Sequence, residues 1–92
     1  MKILVKPAIG RDIDKIRSRL MLSELDKKIT QIEKAKSIQN ITGIKLLRTY
    51  KIHYRIKVET ASLQYRIGAV VRGNTIWLVR FLPRKKIYEL FP

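Results

Sequence analysis

The chain has 92 residues, a net charge of +14 and no cysteine. A chain this short buries roughly 60–65% of its unfolded surface, enough for one sheet and one helical layer but not for a second domain, so residues 1–92 read as a single domain. The lack of cysteine excludes disulfides and thiolate metal sites, and a lone histidine, His53, excludes a multi-histidine metal site.

In chain order, Lys2 to Val5 reads as a short strand that Pro7 ends. Ile9, Ile13, Ile16 and Leu20 recur at helical spacing and predict a first helix over about 8–20. Ser23 followed by Asp26 resembles a capping arrangement, with Asp in place of the usual Glu, and Leu22, Leu25, Ile29 and Ile32 form a second stripe. The second helix is expected over about 23–37, giving a helical hairpin packed on the sheet. Residues 38–48 settle on no period, are broken by Gly43, and read as a loop with at most a short extended piece.

From Tyr50 to Val58 the alternation is regular. Tyr50, Ile52, Tyr54, Ile56 and Val58 face one way, and Lys51, His53, Arg55 and Lys57 face the other, as in a half-buried strand with a basic outer face. A loop follows from Glu59 to Leu63, then a strand from Tyr65 to Val71 and a tight turn at Gly73-Asn74. Thr75 to Leu82 is apolar on both parities apart from Arg80, the mark of a central strand covered on both faces. Pro83 stops it. The order β-α-α-β-β-β predicts an α+β fold: an N-terminal strand and helical hairpin on a mostly antiparallel, twisted sheet.

The charge is unevenly spread. Residues 1–40 hold ten Lys/Arg against five Asp/Glu, and residues 41–92 hold eleven against two. The excess lies in the half that reads as sheet, which points to a nucleic-acid partner. Asp12 and Asp14, the closest acidic pair, stand at i and i+2 and share no helix face, so a carboxylate metal site of the nuclease type is not expected. Neither a membrane span nor a signal-peptide pattern is present, which fits a cytoplasmic setting.

Five residues stand out as candidate chemistry. Arg55 and Lys57 project side by side from one strand. Arg66 has the parity opposite to Tyr65 and Ile67 and falls beside them one strand later. If the tail forms a helical turn, Arg84 and Tyr88 share a side of it. Such a face suits metal-free RNA cleavage. A deprotonated ribose 2′-OH attacks the adjacent phosphate, fixed cations stabilise the charge that develops, and an aromatic ring orients the nucleotide. Lys57, Tyr88 and His53 are the alternatives for the base. Lys51, His53, Arg80, Lys85 and Lys86 complete an expected RNA-binding set, with an acidic partner as the alternative role of Arg80.

The segments Tyr54-Arg55-Ile56-Lys57-Val58, Tyr65-Arg66-Ile67 and Arg84-Lys85-Lys86-Ile87-Tyr88 resemble, in order, three signature segments of the RelE/ParE superfamily of bacterial toxin–antitoxin toxins. The resemblance covers nearly the whole chain. It implies a toxin that enters the ribosomal A site and cleaves mRNA without metal or cofactor. It gives Arg55 and Lys57 the phosphate and the proton transfers, Arg66 the transition-state charge, Arg84 the leaving 5′-oxygen, and Tyr88 the nucleotide. It also implies a cognate antitoxin, acidic enough to neutralise this face. Pro83 stands where many relatives carry a histidine, and the 59–64 segment is longer than their tight turn. ParE-like members, which inhibit DNA gyrase, offer one alternative function, and a basic RNA-binding protein without catalysis offers another.

Overall fold

A computed structural model describes all residues, 1–92. Its elements are β1 (Lys2–Val5), α1 (Pro7–Asp14), α2 (Arg19–Lys34), a 3-10 turn (Ile38–Asn40), β2 (Ile44–Leu46), β3 (His53–Glu59), β4 (Gln64–Arg72), β5 (Thr75–Pro83) and α3 (Arg84–Leu90). The five strands form one mixed sheet in the order β1-β5-β4-β3-β2, with β1 parallel to β5 and the other pairs antiparallel. The α+β class and the central place of β5 are as the sequence predicts. The sheet gains a short fifth strand, β2, in the segment that has no period.

The helical hairpin is divided differently from expectation. Pro7 opens α1, where its missing N–H costs nothing. That helix stops at Asp14, and Ser18, rather than Ser23, caps α2 by accepting a hydrogen bond from the Met21 N–H at 3.1 Å. The Ile9/Ile13/Ile16/Leu20 period therefore spans two elements. Ile9 is in the core, Ile13 and Ile16 pack against it, and Leu20 is 72% exposed. Met21, Leu25 and Ile32 form the buried stripe of α2.

The main core lies between this hairpin and one face of the sheet, where Ile56, Val58, Ile67, Ala69, Ile76, Leu78 and Phe81 meet the helices. The residues between them on β3 and β4, including Arg55, Lys57, Arg66 and Gly68, consequently point to the opposite face. On that face α3 packs through Ile87 and the following Phe91 against Leu47, Val79 and Leu82. Helices thus cover both faces of β5, which explains its apolar run on both parities.

Gly68 is required by this second layer. A Cβ there would stand 2.6–2.8 Å from the Phe91 ring. At the β4–β5 turn Gly73 takes φ +59°, a conformation that favours glycine, so Arg72 and Thr75 can pair. A register shift between Gly68 and Ala69 leaves Val79 as the extra residue on β5.

Candidate active site

The strand expected over 50–58 begins at His53. Residues 50–52 form turns instead, closed by the Tyr50 N–H to the Leu47 carbonyl (2.9 Å) and the His53 N–H to the Tyr50 carbonyl (3.1 Å). Lys51 therefore leaves the row of strand cations and sits exposed in the turn. Arg55 and Lys57 remain on β3, two residues apart. Lys57 pairs in register with Arg66 of β4, and Arg55 with Lys45 of β2. Two like-charged cross-strand pairs side by side are unfavourable for stability.

The tail does form a helix. Arg84 and Tyr88 lie one turn apart on α3, where the Arg84 Nε–H donates to the Tyr88 hydroxyl at 2.9 Å. The Arg55 guanidinium stacks over the Tyr88 ring at 4.2 Å from its centroid, and Arg84 lies at 5.1 Å. Gly43, Lys45, Arg55, Lys57, Arg66, Arg84 and Tyr88 line one cleft of about 240 Å³. All five residues singled out for chemistry are thus brought together. Lys45 is an addition that the sequence did not flag, because a three-residue strand shows no alternation.

The position of Lys57 is supported from behind. Gly43 takes φ +76°, and its carbonyl accepts from the Lys57 N–H at 3.1 Å. A Cβ at Gly43 would press on the Lys57 Cβ at 3.1 Å. The preceding residue, Thr42, is tied to α2 by Lys28 Nζ, which donates to its carbonyl and hydroxyl, both at 2.8 Å. Burial lowers the Lys28 pKa, against a smaller rise caused by Glu24.

The electrostatics of the cleft are unbalanced. The protein contains three salt bridges, and only one, Arg66–Glu59 at 2.9 Å, involves a cleft residue. Arg66 is 6% exposed and also donates to the Tyr65 carbonyl. The longer 59–64 segment does not displace it. Glu59 pairs with Gln64 at the end of the ladder, and Thr60 closes the loop by donating its N–H to the Leu63 carbonyl at 2.9 Å. Lys45, Arg55, Lys57 and Arg84 have no carboxylate partner, and the Arg55 Nε is shielded from solvent without any hydrogen-bond acceptor.

Tyr88 registers this field. Desolvation alone would raise its pKa, but the hydrogen bond from Arg84 and the charges of Arg84, Arg66 and Arg55 outweigh it and hold the phenol below its ordinary value of 10.0. The first turn of α3 carries Arg84, Lys85 and Lys86 and no acid, the opposite of what the helix dipole favours. Lys85 and Lys86 are exposed and flank the cleft in sequence without lining it.

None of the five expected RNA-binding residues lines the cleft, and two of them, His53 and Arg80, are engaged within the fold. His53 packs between the rings of Tyr50 (5.4 Å) and Phe91 (5.7 Å) and does not line the cleft. Arg80 is engaged by the buried Asp12 of α1 in a two-pronged ion pair, Nε to Oδ2 at 2.8 Å and Nη2 to Oδ1 at 3.0 Å. The same carboxylate accepts the Phe81 N–H at 2.9 Å. β1 pairs with β5 only as far as Leu78, so Asp12 satisfies a strand edge that β1 no longer covers. No group of three or more His, Cys, Asp or Glu side chains is placed to hold a metal ion, and no helix is long and apolar enough to cross a membrane.

No family model matches the chain. It is 34% identical, over the full length of both chains, to Toxin RelE3 of Methanocaldococcus jannaschii. Its fold superposes on a chain of the RelB–RelE antitoxin–toxin complex from Methanococcus jannaschii with a TM-score of 0.75 and 28% identity, covering 97% of this chain and 99% of that one. A conserved hypothetical protein of Helicobacter pylori shares the fold alone, with a TM-score of 0.56 and 18% identity over 92% of this chain and 96% of that one. Full-length identity at this level, together with the shared fold, shows that the chain belongs to the RelE family of toxins.

Proposed function

We propose that this toxin is a ribosome-dependent endoribonuclease that cuts mRNA by attack of a ribose 2′-OH on the adjacent phosphate. The observation that carries the reading is the set of unpaired cations around Tyr88. Four cleft cations lack an acidic partner, and a fifth, Arg66, has one that borders solvent. An arrangement so poor for stability suits a polyanion and, within it, a single phosphate that gains charge during the reaction.

In this mechanism the O2′–P bond forms as the P–O5′ bond breaks, the 2′ proton passes to a base, and O5′ takes up a proton from water, leaving a 2′,3′-cyclic phosphate and a 5′-hydroxyl. Arg55, Lys57 and Arg66 stabilise the extra charge on the phosphorane. Tyr88 orients the nucleotide. Tyr88 and Lys57 are the candidate groups to take the 2′ proton. Arg84 bonds the Tyr88 hydroxyl in the free protein and turns to the leaving oxygen when substrate is bound. The reading needs no metal or cofactor.

The same cationic face accounts for a partner. A RelB–RelE antitoxin–toxin complex is among the structural neighbours, and an acidic antitoxin segment would neutralise these charges. Lys85, Lys86 and Lys51 are the peripheral cations that attract RNA and ribosome, in the cytoplasm where both reside. Mapping of mRNA 5′ ends after brief induction tests the activity. New cuts within translated frames, absent with Arg84→Ala, are expected. Growth arrest with intact mRNA would overturn the reading and point to the gyrase inhibition of ParE-like toxins.

A further inference from the structure

A second groove, of about 390 Å³, adjoins the catalytic cleft and shares Lys45, Arg55 and Tyr88 with it. Its far wall comes from the β2–β3 connection, where Arg48 and Tyr50 are exposed, and from Phe91. Nothing in the mechanism above uses Arg48 or Tyr50.

The Tyr50 ring is not a loose surface side chain. Its backbone is fixed by hydrogen bonds on both sides, to Leu47 and from His53. Its ring meets His53 edge-on at 5.4 Å, and His53 in turn leans on the buried Phe91 at 5.7 Å. Yet the residue remains 46% exposed. A preset, solvent-facing ring in a groove also lined by cations without acidic partners is the arrangement that binds single-stranded nucleic acid: aromatic faces stack bases while cations follow the phosphates. The groove runs directly into the cleft, so whatever enters one passes the other.

We infer that this groove is a further nucleotide subsite, in which a base one beyond the two that flank the scissile phosphate stacks on Tyr50 and its phosphate lies between Lys45 and Arg48. The inference rests on the reading of the cleft as the RNA-cleaving site. It also gives His53 a role: a positioning residue that braces Tyr50.

The test titrates the whole protein with 2′-O-methyl di- and tetranucleotides, which cannot be cut, while following the ring resonances of Tyr50 and Tyr88 by NMR. The expected result is that Tyr88 responds to both probes and Tyr50 responds to the longer one. Tyr50→Ala should weaken the tetranucleotide about tenfold and leave the dinucleotide unchanged, and Tyr50→Phe should restore it. A response at Tyr88 with none at Tyr50, or equal binding by Tyr50→Ala, overturns the subsite, leaves the cleavage reading intact, and assigns the groove to a protein partner. A response at Tyr50 with none at Tyr88, or no response at either ring, overturns the subsite, while the ribosome-dependent cleavage reading is judged by the 5′-end mapping.

Discussion

Arginines at two places on this sheet live under opposite conditions. Arg80 faces a buried carboxylate that matches its charge and fork geometry and also closes an open strand edge. Burial would raise the Asp12 pKa, but Arg80 and the Phe81 N–H outweigh it and hold the carboxyl below its usual value. Arg80 is held correspondingly higher, chiefly by its hydrogen bond to Asp12. Arg55 and Arg84 share a tyrosine ring instead of an acid, beside two lysines equally unmatched. One arginine is committed to the fold, and the others have no acidic partner. The residue type is the same, so the difference lies in what the fold places opposite each.

The comparison predicts separable effects, and the largest falls on the unmatched side. Tyr88→Ala is expected to lower cleavage by about a thousandfold, the combined scale of a lost orienting group and a lost base. Its unfolding midpoint in urea should stay that of the parent, because the residue is 44% exposed. A variant that cuts normally would break the contrast.

On the matched side the expectations reverse. Asp12→Ala leaves Arg80 and the Phe81 N–H without their acceptor and should cost about 3 kcal/mol, the lower end for half of a buried pair because Arg80 keeps some solvent contact. Activity per folded molecule should hold. Folding lowers the Asp12 pKa below 3.8, so its contribution is complete above that pH and is lost as pH falls through the lower folded value. The acid limb of stability should flatten in Asp12→Asn, measured by urea unfolding across pH 2–5.

Gly68→Ala sits between the two regimes, since its Cβ would enter the Phe91 ring. About 2 kcal/mol of destabilisation is expected from overpacking. Activity should fall as well, because α3 carries Arg84 and Tyr88. The smallest effect on stability belongs to Lys57→Gln. Relieving the like-charged pair with Arg66 should raise stability by about 0.5 kcal/mol while cleavage drops.

The unmatched side was the more legible in sequence. Period two places Arg55 and Lys57 on one face whatever the partner strand does, and Arg84 and Tyr88 need only a single helical turn. The Asp12–Arg80 pair spans 68 residues, and no local pattern links them. Read as a pair with Asp14, Asp12 showed only that a metal site was not to be expected. The end of α1 was hidden for a related reason. Apolar residues at helical spacing continue through 16 and 20, whereas the Ser18 side chain sets the break with one hydrogen bond. The alternation draws Lys51 onto the strand, but the turns at 50–52 interrupt it, and Tyr50 leaves the expected core parity, meeting His53 and lining the groove beside Arg55 and Tyr88. Position along a strand was readable; the matching of charge across the fold was not.

The central claim is that this cleft directs a ribose 2′-OH onto the next phosphate. Its most direct test is single-turnover cleavage on programmed ribosomes by the purified protein, with all-ribose mRNA set against mRNA carrying one 2′-deoxy nucleotide at the mapped cut. The account predicts cleavage of the first and none of the second at that bond. Cleavage of both would contradict 2′-OH attack, and cleavage of neither would contradict a nuclease.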